Sequence, residues 1–481
     1  MAGQNQQDVP EGVFSILDTD LYKLTMQACI LRYFPDIEAT YHLTNRTPNM
    51  KLSRTAVQWL QKQIDRLANI RLTPDEFQFL GATCPYLNQA YLAYLEQFQF
   101  KPSEQVSLKF HAESSEGDEE LGGIELKISG RWIETILYEI PLLALVSEAY
   151  FKFRDRDWNY DGQVEKAKEK GTQLLKAGCR FSEFGSRRRR NYHAQKLVLQ
   201  GMIEAKNDGE NNGWPGQLTG TSNVHFAMSM GLQPVGTVAH EWFMGIAAAT
   251  NDYENANEIG LRCWINTFGE GVLAVMLTDT FGTPAFLKAF RKKIRPADMF
   301  DHRLAGLPQR RGSMTDAQAS ELHGLYERIE QSTAGTEKTF AQAYTGVRQD
   351  SGDPLEFIQS MRKFYDQEGI TDQKSIVFSD SLTTDLCLKY KAAAEASGFQ
   401  PSFGVGTFFT NDFVSTTTGH KSTPMNIVIK ISSASGNPAI KISDNIGKNT
   451  GDSETVKEVK RRLGYVEHEW VGGDESARWG K

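Results

Sequence analysis

The sequence lacks a long hydrophobic run. Its most apolar short stretch, residues 140–146, contains Pro141 and is far shorter than the roughly 20 residues that a membrane-spanning helix needs. The first residues, MAGQNQQDVPEG, are polar and do not have the basic and apolar segments of a secretory signal. We therefore expect no membrane partner and a cytoplasmic protein, with diffusion into the nucleus left open.

An excess of positive charge is also missing. The 481 residues include 53 lysines and arginines against 60 aspartates and glutamates, a formal net charge of −7 that argues against nucleic acid as a partner. An anionic substrate would need local basic groups acting against this overall sign. The five cysteines are widely separated and show no CxxC spacing, which indicates reduced thiols and neither a disulfide framework nor a zinc site.

The chain is long enough for two domains. Residues 1–12 are predicted to be a disordered tail. Residues 13–150 mix a helical pattern near 56–67 with alternating strand patterns near 105–111 and 124–129, and are predicted to form an α+β domain. The acidic run ESSEGDEE at 113–120 is predicted to be the solvated tip of a hairpin.

From about residue 178 the pattern changes to short apolar runs that end in polar residues, with helical patterns between them. The runs lie at 179–187, 217–223, 234–242, 271–280, 345–353, 375–380, 401–407 and 425–433. The repetition of strand, polar loop and helix predicts a (β/α) barrel over residues 151–424, with an open doubly wound sheet as the alternative. Two inserts, at 206–216 and 300–340, either cover the active site or decorate the surface.

Polar residues stand at the predicted strand ends, where barrel enzymes build their active sites. They combine cations, carboxylates and one histidine: Glu183, Arg187, Ser222, His240, Glu241, Asp279, Arg348, Asp350, Asp353, Asp380 and Thr407. Arginines suit phosphate groups, and carboxylates suit Mg²⁺. The set therefore favours an enzyme that handles a phosphorylated sugar.

Four motifs each allow a structural and a functional interpretation. The arginine run 187–190 would be a solvated helix face, but four cations at a helix N-terminus oppose the macrodipole unless an anion binds among them. GVGT at 404–407 is either a tight turn or a phosphate-binding turn, and RQDSGDP at 348–354 is a capped helix start, a ribose and Mg²⁺ site, or both. His240 is either structural or a nucleophile, oriented by a group other than Glu241 because strand neighbours point to opposite faces.

Nine short motifs follow one another along almost the whole chain: DTDLYKLTM (18–26), YHLTNR (41–46), EFGSRRR (183–189), GTSNV (220–224), GTVAHEW (236–242), VRQDSGDP (347–354), FSDSL (378–382), FGVGT (403–407) and IVIKIS (427–432). Each is weak alone, but together and in this order they resemble the nicotinate phosphoribosyltransferase family of type II phosphoribosyltransferases. The resemblance implies an irregular α/β barrel and a second α+β domain built from terminal segments, here 13–150 with part of 425–481.

The resemblance also implies a reaction. Ribosyl 5-phosphate passes from phosphoribosyl pyrophosphate to the ring nitrogen of nicotinate, and ATP is hydrolysed through a phosphohistidine, as in an ATP-dependent, Mg²⁺-requiring ligase of NAD salvage. By position, the phosphohistidine is His240, the catalytic carboxylates are Asp279 and Asp350, the nicotinate contacts are Tyr22, Phe184, Ser222 and Arg348, and the phosphoribose and pyrophosphate contacts are Arg187, Arg188, Gly352, Gly404, Gly406 and Thr407. Arg189 is a less certain contact, and the Mg²⁺ ligands are left open.

Three alternatives remain beside this hypothesis. The nearest is a nicotinamide phosphoribosyltransferase, in which an aspartate stands where this sequence has Ser222; a hydroxyl there favours the acid. A non-catalytic phosphosugar-binding barrel would have no use for a nucleophile such as His240. An aldolase-like barrel would need a Schiff-base lysine at a strand end. Because relatives can borrow the aromatic residue at Tyr22 from a neighbouring subunit, both a homodimer and a monomer are open.

Overall fold

Two six-stranded sheets organise the protein. The computed structural model describes residues 10–294, 338–444 and 449–465. Within these residues one sheet is antiparallel and the other is parallel, and helices pack on both. The predicted α/β class with an additional α+β unit is thereby confirmed.

The antiparallel sheet has the strand order β12-β11-β1-β4-β2, with β3 beside β4. Its strands are β1 (Glu38–Asn45), β2 (Leu52–Ser53), β3 (Val106–Glu116), β4 (Glu119–Arg131), β11 (Ile427–Ala434) and β12 (Asn437–Pro438). β11 pairs with β1, with Ile431 opposite Tyr41. The run 425–433 was predicted as one of the eight barrel strands, and this prediction is wrong because β11 belongs to the antiparallel sheet. Its isoleucines alternate with partly exposed residues, the pattern of an antiparallel strand with one buried face.

The acidic run at 113–120 joins β3 to β4. The two strands pair antiparallel up to Glu116 and Glu119, and the turn between them is exposed. The predicted solvated hairpin tip is confirmed.

The parallel sheet has the order β6-β5-β10-β9-β8-β7. It contains β5 (Arg180–Glu183), β6 (Gln217–Thr221), β7 (Val275–Leu277), β8 (Gly346–Gln349), β9 (Ser375–Phe378) and β10 (Gln400–Val405). The predicted strand at 234–242 is wrong, because Pro234 makes only a single bridge to Thr221 and a helix begins at His240. Proline removes a ladder donor, and the last three residues of the run, 240–242, belong to the helix. The β6 and β7 edges do not pair with each other in the part of the chain described, so the barrel is irregular.

Helices connect and cover the sheets. They are α1 (Leu21–Tyr33), α2 (Arg54–Arg66), α3 (Pro74–Thr83), α4 (Gln89–Gln97), α5 (Pro102–Gln105), α6 (Trp132–Thr135), α7 (Glu139–Phe153), α8 (Gln163–Lys176), α9 (Tyr192–Asn212), α10 (Val224–Met230), α11 (His240–Thr250), α12 (Ala256–Phe268), α13 (Thr283–Phe290), α14 (Phe340–Ala343), α15 (Pro354–Gln367), α16 (Thr384–Ala396), α17 (Thr407–Thr410) and α18 (Ser453–Leu463). Asp353 caps α15 by accepting from Leu355 N, as predicted. Among the described residues, no helix is long and apolar enough to cross a membrane.

The remaining expectations concern segments outside the sheets. The helix expected near 56–67 is α2. The insert 206–216 is mainly the last part of α9 and not a loop. Most of the insert 300–340, and residues 1–9 of the predicted disordered tail, lie outside the described residues. Gly12, in the last part of that tail, donates its backbone N–H to the Glu148 carboxylate at 3.1 Å.

Candidate active site

A cavity of about 230 Å³ lies at the carboxyl ends of β5, β8, β9 and β10. Residues 428–431 of β11 line the same cavity, so both sheets contribute to it. Ten of the residues predicted for the site line it: Tyr22, Phe184, Arg187, Arg188, His240, Arg348, Asp350, Gly404, Gly406 and Thr407. Of the eleven candidates at predicted strand ends, seven line the cavity: Arg187, His240, Glu241, Arg348, Asp350, Asp380 and Thr407.

His240 enters the cavity as the first residue of α11 and not from a strand end. Its Nδ1 lies 3.0 Å from Thr280 Oγ1, and its Nε2 lies 3.1 Å from Asp350 Oδ2 and 2.7 Å from Lys441 Nζ. The orienting groups thus come from elements other than its neighbour Glu241. Burial lowers the pKa of His240, and the Lys441 ammonium lowers it further against the opposing carboxylates. The imidazole is therefore neutral near pH 7 and keeps a lone pair.

Asp350 links His240 to Arg348. Its Oδ1 accepts from Arg348 Nη2 at 2.8 Å and from Ser379 Oγ at 2.7 Å. Burial works to raise the pKa of Asp350, but Arg348 and His240 outweigh it and hold the pKa well below its usual range. Asp350 is thus ionised. The Arg348 guanidinium also donates to Ser379 Oγ and Thr237 Oγ1, so its donors are shared among protein groups at the cavity wall.

Asp279 stands behind this pair and is not among the residues that line the cavity. Its Oδ2 accepts from Ser351 Oγ at 2.5 Å and lies 3.2 Å from Lys441 Nζ. Its buried Oδ1 lies 3.8 Å from His240 Nε2 and has no hydrogen-bond partner among the described residues. Burial works to raise the pKa of Asp279, but Lys441 and His240 outweigh it and lower the pKa.

His240, Asp279 and Asp350 are also the candidate ligands for the predicted Mg²⁺. They offer three ligand atoms within 4.8 Å of one another. However, the Lys441 ammonium already lies 2.7 Å from His240 Nε2 and 3.2 Å from Asp279 Oδ2. A divalent ion bound to the same atoms would lie against this positive charge. These residues therefore do not fit a resident Mg²⁺ while Lys441 is in place.

Two aromatic residues face the cavity from different elements of one chain. Tyr22 lies on α1, and Phe184 follows β5. The glycines of the 404–407 turn make room for Phe184: a Cβ on Gly404 would lie 2.4 Å from its ring, and one on Gly406 would lie 3.0 Å from its carbonyl oxygen. Their small size is thus explained by the packing of Phe184, whatever else the turn binds.

The arginine run divides between the cavity and the interior. Arg187 lines the cavity with 44% of its side chain exposed, and its Nη1 lies 3.7 Å from Glu139 Oε1. Arg188 also lines the cavity and donates from Nη2 to Asn426 Oδ1 at 2.8 Å. The prediction that the run opens a helix is wrong, because α9 begins after Asn191, whose side chain caps it.

The last two arginines of the run are structural. Arg189 is buried and donates both Nη atoms to the Asp18 carboxylate, at 2.8 and 2.7 Å. Arg190 is buried within three aromatic rings, those of Phe151, Trp158 and Phe413. The structure thus removes Arg189 from the candidate substrate contacts and accounts for Arg190 by packing.

Ser222 and Gly352 are not among the residues that line the cavity. Ser222 is buried, and its hydroxyl donates to Asp20 Oδ1 at 2.7 Å. The Ser222 hydroxyl, which was expected to donate a hydrogen bond to nicotinate, therefore donates it to Asp20 inside the protein. Gly352 has a φ of 78° in the turn before α15, a left-handed conformation that favours glycine without any ligand.

A buried charged network fixes α1 and α11 beneath the cavity. Lys23, whose side chain is 0% exposed, forms ion pairs with Glu139 and Glu241. Glu241 also accepts from Tyr41 Oη at 2.5 Å and from Trp132 Nε1 at 3.0 Å. Because Glu139 and Glu241 both line the cavity, Lys23 neutralises negative charge that would repel an anionic substrate.

Lys441 was not predicted, although its Nζ lies 2.7 Å from His240 Nε2 and 3.2 Å from Asp279 Oδ2. A signal was present, because the neighbouring Ala439, Ile440 and Ile442 are an apolar run and are fully buried. A lysine inside such a run is rarely buried unless it is paired. Glu139 was also missed, since a lone glutamate at the start of an apolar helix looks like an ordinary first-turn residue.

Comparison with known proteins agrees with this geometry. The model of the nicotinate phosphoribosyltransferase N-terminal domain matches residues 17–147, and the nicotinate phosphoribosyltransferase family model matches 179–302 and 315–467. A probable nicotinate phosphoribosyltransferase of Schizosaccharomyces pombe is 43% identical over 94% of this chain and 98% of its own length. The nicotinate phosphoribosyltransferase of Saccharomyces cerevisiae is 43% identical over 97% of this chain and 98% of its length.

A solved structure supports the same assignment. The crystal structure of a putative nicotinate phosphoribosyltransferase from S. cerevisiae superposes with a TM-score of 0.81 at 42% identity, covering 95% of this chain and 100% of that one. The family models together span both sheets and the cavity between them. The chain therefore belongs to the nicotinate phosphoribosyltransferase family.

Proposed function

We propose that this protein joins nicotinate to the phosphoribosyl group of phosphoribosyl pyrophosphate and couples the reaction to ATP hydrolysis through phosphorylation of His240. Nicotinate ring nitrogen forms a bond to C1 of the ribose as the bond to pyrophosphate breaks. Separately, an imidazole nitrogen takes the γ-phosphoryl group of ATP, ADP leaves, and water later cleaves the N–P bond. The two steps share the cavity described above.

The observation that carries the proposal is the environment of His240. A neutral imidazole stands at the cavity wall, with its ring held from both sides by Thr280 and Asp350. A nucleophile needs a lone pair and a fixed orientation; the neutral ring carries the lone pair, and the surrounding side chains fix its orientation. A non-catalytic sugar-binding barrel would have no reason to hold an uncharged histidine among charged groups.

Charge supports the roles of the neighbouring residues. Developing positive charge on the ribose in the transition state would be stabilised by the ionised Asp350, with Asp279 behind it. Arg187 and Arg188 present positive charge to pyrophosphate and phosphate groups at the cavity wall. Mg²⁺ is proposed to enter as the counter-ion of ATP and phosphoribosyl pyrophosphate, as part of the substrates, because the carboxylates beside Lys441 do not fit a resident ion.

The proposed preference for nicotinate over nicotinamide is attributed to Arg187 and not to Ser222. Ser222 bonds to Asp20 inside the protein, whereas Arg187 is partly exposed in the cavity that Tyr22 and Phe184 also line. The two aromatic rings suit the faces of a pyridine, and the guanidinium suits its carboxylate. A nicotinamide-specific enzyme is the second candidate, and the neutral amide would gain less from this positive charge.

One assay tests both parts of the proposal. Purified protein with phosphoribosyl pyrophosphate and Mg²⁺ is supplied with nicotinate or nicotinamide, with and without ATP. We expect kcat/KM to favour nicotinate by at least about tenfold, equivalent to about 1.4 kcal/mol. Comparable values for the two substrates would refute nicotinate specificity.

The phosphohistidine is tested with His240→Asn. The asparagine keeps a polar edge but cannot form a phosphoenzyme, so ATP stimulation and label transfer from γ-labelled ATP should both disappear. A slow ATP-independent synthesis should persist, since the carboxylates and arginines are intact. Label that is acid-labile and base-stable should be found on the wild type at residue 240. Full labelling of the variant would assign the nucleophile elsewhere.

A further inference from the structure

Two groups, His240 and Asp279, converge on a cation that belongs to the protein itself. The side-chain nitrogen of Lys441 lies 2.7 Å from His240 Nε2 and 3.2 Å from Asp279 Oδ2. Lys441 is 7% exposed, and Asp279 is 1% exposed. The lysine therefore stands in the space where the histidine and carboxylate ligands would otherwise meet a metal ion.

His240 Nε2 faces two partners with opposite demands. The Lys441 ammonium has only protons to donate, so it needs the Nε2 lone pair, whereas Asp350 Oδ2 at 3.1 Å can only accept a proton from Nε2. A neutral imidazole carries one ring proton and satisfies just one of these contacts at Nε2. The shorter contact favours the form in which Nδ1 carries the proton toward Thr280 Oγ1 and the Nε2 lone pair is directed at Lys441.

From this arrangement we propose that Lys441 is a positioning residue that acts as the resident cation of the His240 site. It covers the Nε2 lone pair and occupies the point at which His240, Asp279 and Asp350 would together bind a divalent metal. The buried Asp279 Oδ1 has no hydrogen-bond partner among the described residues and lies 3.8 Å from His240 Nε2. Lys441 thus keeps transition metals from the histidine while the cavity is free of substrate.

A metal ion at this point would remove the function of the histidine. Once a metal bound Nε2, the lone pair would be committed to coordination. An ammonium differs because it holds Nε2 only by a hydrogen bond. The ammonium can donate that hydrogen bond to a phosphate oxygen instead, which frees the lone pair. The transfer of this hydrogen bond to a phosphate oxygen rests on the proposed phosphohistidine, whereas the exclusion of metal does not.

Co²⁺ titration of substrate-free protein tests the proposal, since the visible spectrum of Co²⁺ reports its binding to histidine and carboxylate. Lys441→Ala should bind Co²⁺ at least about tenfold more tightly than the wild type, because removing the ammonium leaves three convergent ligands. Adding His240→Asn to this variant should abolish the gained spectrum. The matched control is Lys430→Ala, which removes another lysine of the cavity wall whose nitrogen bonds Thr450 Oγ1 at 2.6 Å, and it should create no such site.

The wild type provides a test that does not depend on the folding of any Lys441 variant. A Co²⁺ spectrum in the wild type that His240→Asn removes would overturn the proposal, and absence of that spectrum agrees with it. A second measurement follows acylation of histidines by diethyl pyrocarbonate with peptide mass spectrometry. His240 should be acylated several-fold faster in Lys441→Met than in the wild type, and an equal rate would show that its lone pair is not covered.

These outcomes separate this inference from the proposed reaction. If His240→Asn kept full ATP-dependent activity while Lys441→Ala gained the Co²⁺ site, the phosphohistidine would fail and the resident cation would stand. If His240→Asn lost its ATP-dependent activity while Lys441→Ala gained no Co²⁺ site, the proposed reaction would stand and Lys441 would have no positioning role.

Discussion

Lys23→Met tests the buried network that holds α1 and α11 beneath the cavity. The lysine side chain is 0% exposed, and its partners Glu139 and Glu241 are 11% and 8% exposed. Methionine preserves the apolar stem but leaves two carboxylates without their shared cation. Breaking a buried ion pair by removing one partner costs about 3–5 kcal/mol, so we expect the free energy of unfolding to fall by that amount.

The loss is measured by urea unfolding followed through tryptophan fluorescence, because Trp132 donates to Glu241 within the network. Lys292→Met is the matched control, since the Lys292 side chain is 48% exposed in its pair with Glu258 and such surface pairs contribute about 0–1 kcal/mol. Adding Glu241→Gln to Lys23→Met should restore part of the stability by removing one stranded charge. If Lys23→Met unfolds like the Lys292 control, the network does not stabilise this part of the fold.

Two further predictions concern stability against pH and the packing of the cavity wall. Burial raises the pKa of Glu148 to about 7, so the folded state retains a proton that the unfolded state releases above its lower pKa. Stability from this group is therefore full below about pH 4.5 and falls by up to about 3 kcal/mol as pH rises through 7; Glu148→Gln should flatten that slope in urea unfolding, and an unchanged slope would contradict the assignment. Gly404→Ala places a Cβ about 2.4 Å from the Phe184 ring, so the ring must move; we expect a higher KM for nicotinate in a folded protein, and an unchanged KM would show that Phe184 does not contact it.

The sequence predicted which residues line the cavity better than it predicted the helix or strand on which each residue lies. Arg348 and Asp350 could be placed because parallel strands bring their carboxyl ends to one side of a sheet, whatever their order. The run 234–242 predicts that His240 lies at a strand end, but Pro234 disfavours this strand and α11 begins at His240. His240 nevertheless lines the cavity as predicted, because it is the first residue of α11 and lies at the cavity wall.

Contacts between distant residues were beyond the sequence. Ser222 bonds to Asp20 across 202 positions, and Lys441 reaches His240 across 201. No local pattern states that such residues meet, and a single sequence offers no measure of their pairing. The hydroxyl of Ser222 therefore looked available for substrate, whereas the fold supplies an internal acceptor. No local pattern gave Lys441 a role, whereas the fold places its Nζ 2.7 Å from His240 Nε2.

The pairing of β1 with β11 has a consequence for the synthesis of the chain. Ser432 Oγ donates to Thr40 O across 392 residues, so β1 leaves the ribosome long before the strand that covers its edge exists. At about 5–20 residues per second, the wait is roughly 20–80 s. During this time the open edge of β1 is a template for pairing with other nascent chains. The part of the cavity wall that residues 428–431 form is therefore completed only after β11 has been synthesised. A chain that stops before Ile427 would release an uncovered β1 edge, which favours aggregation.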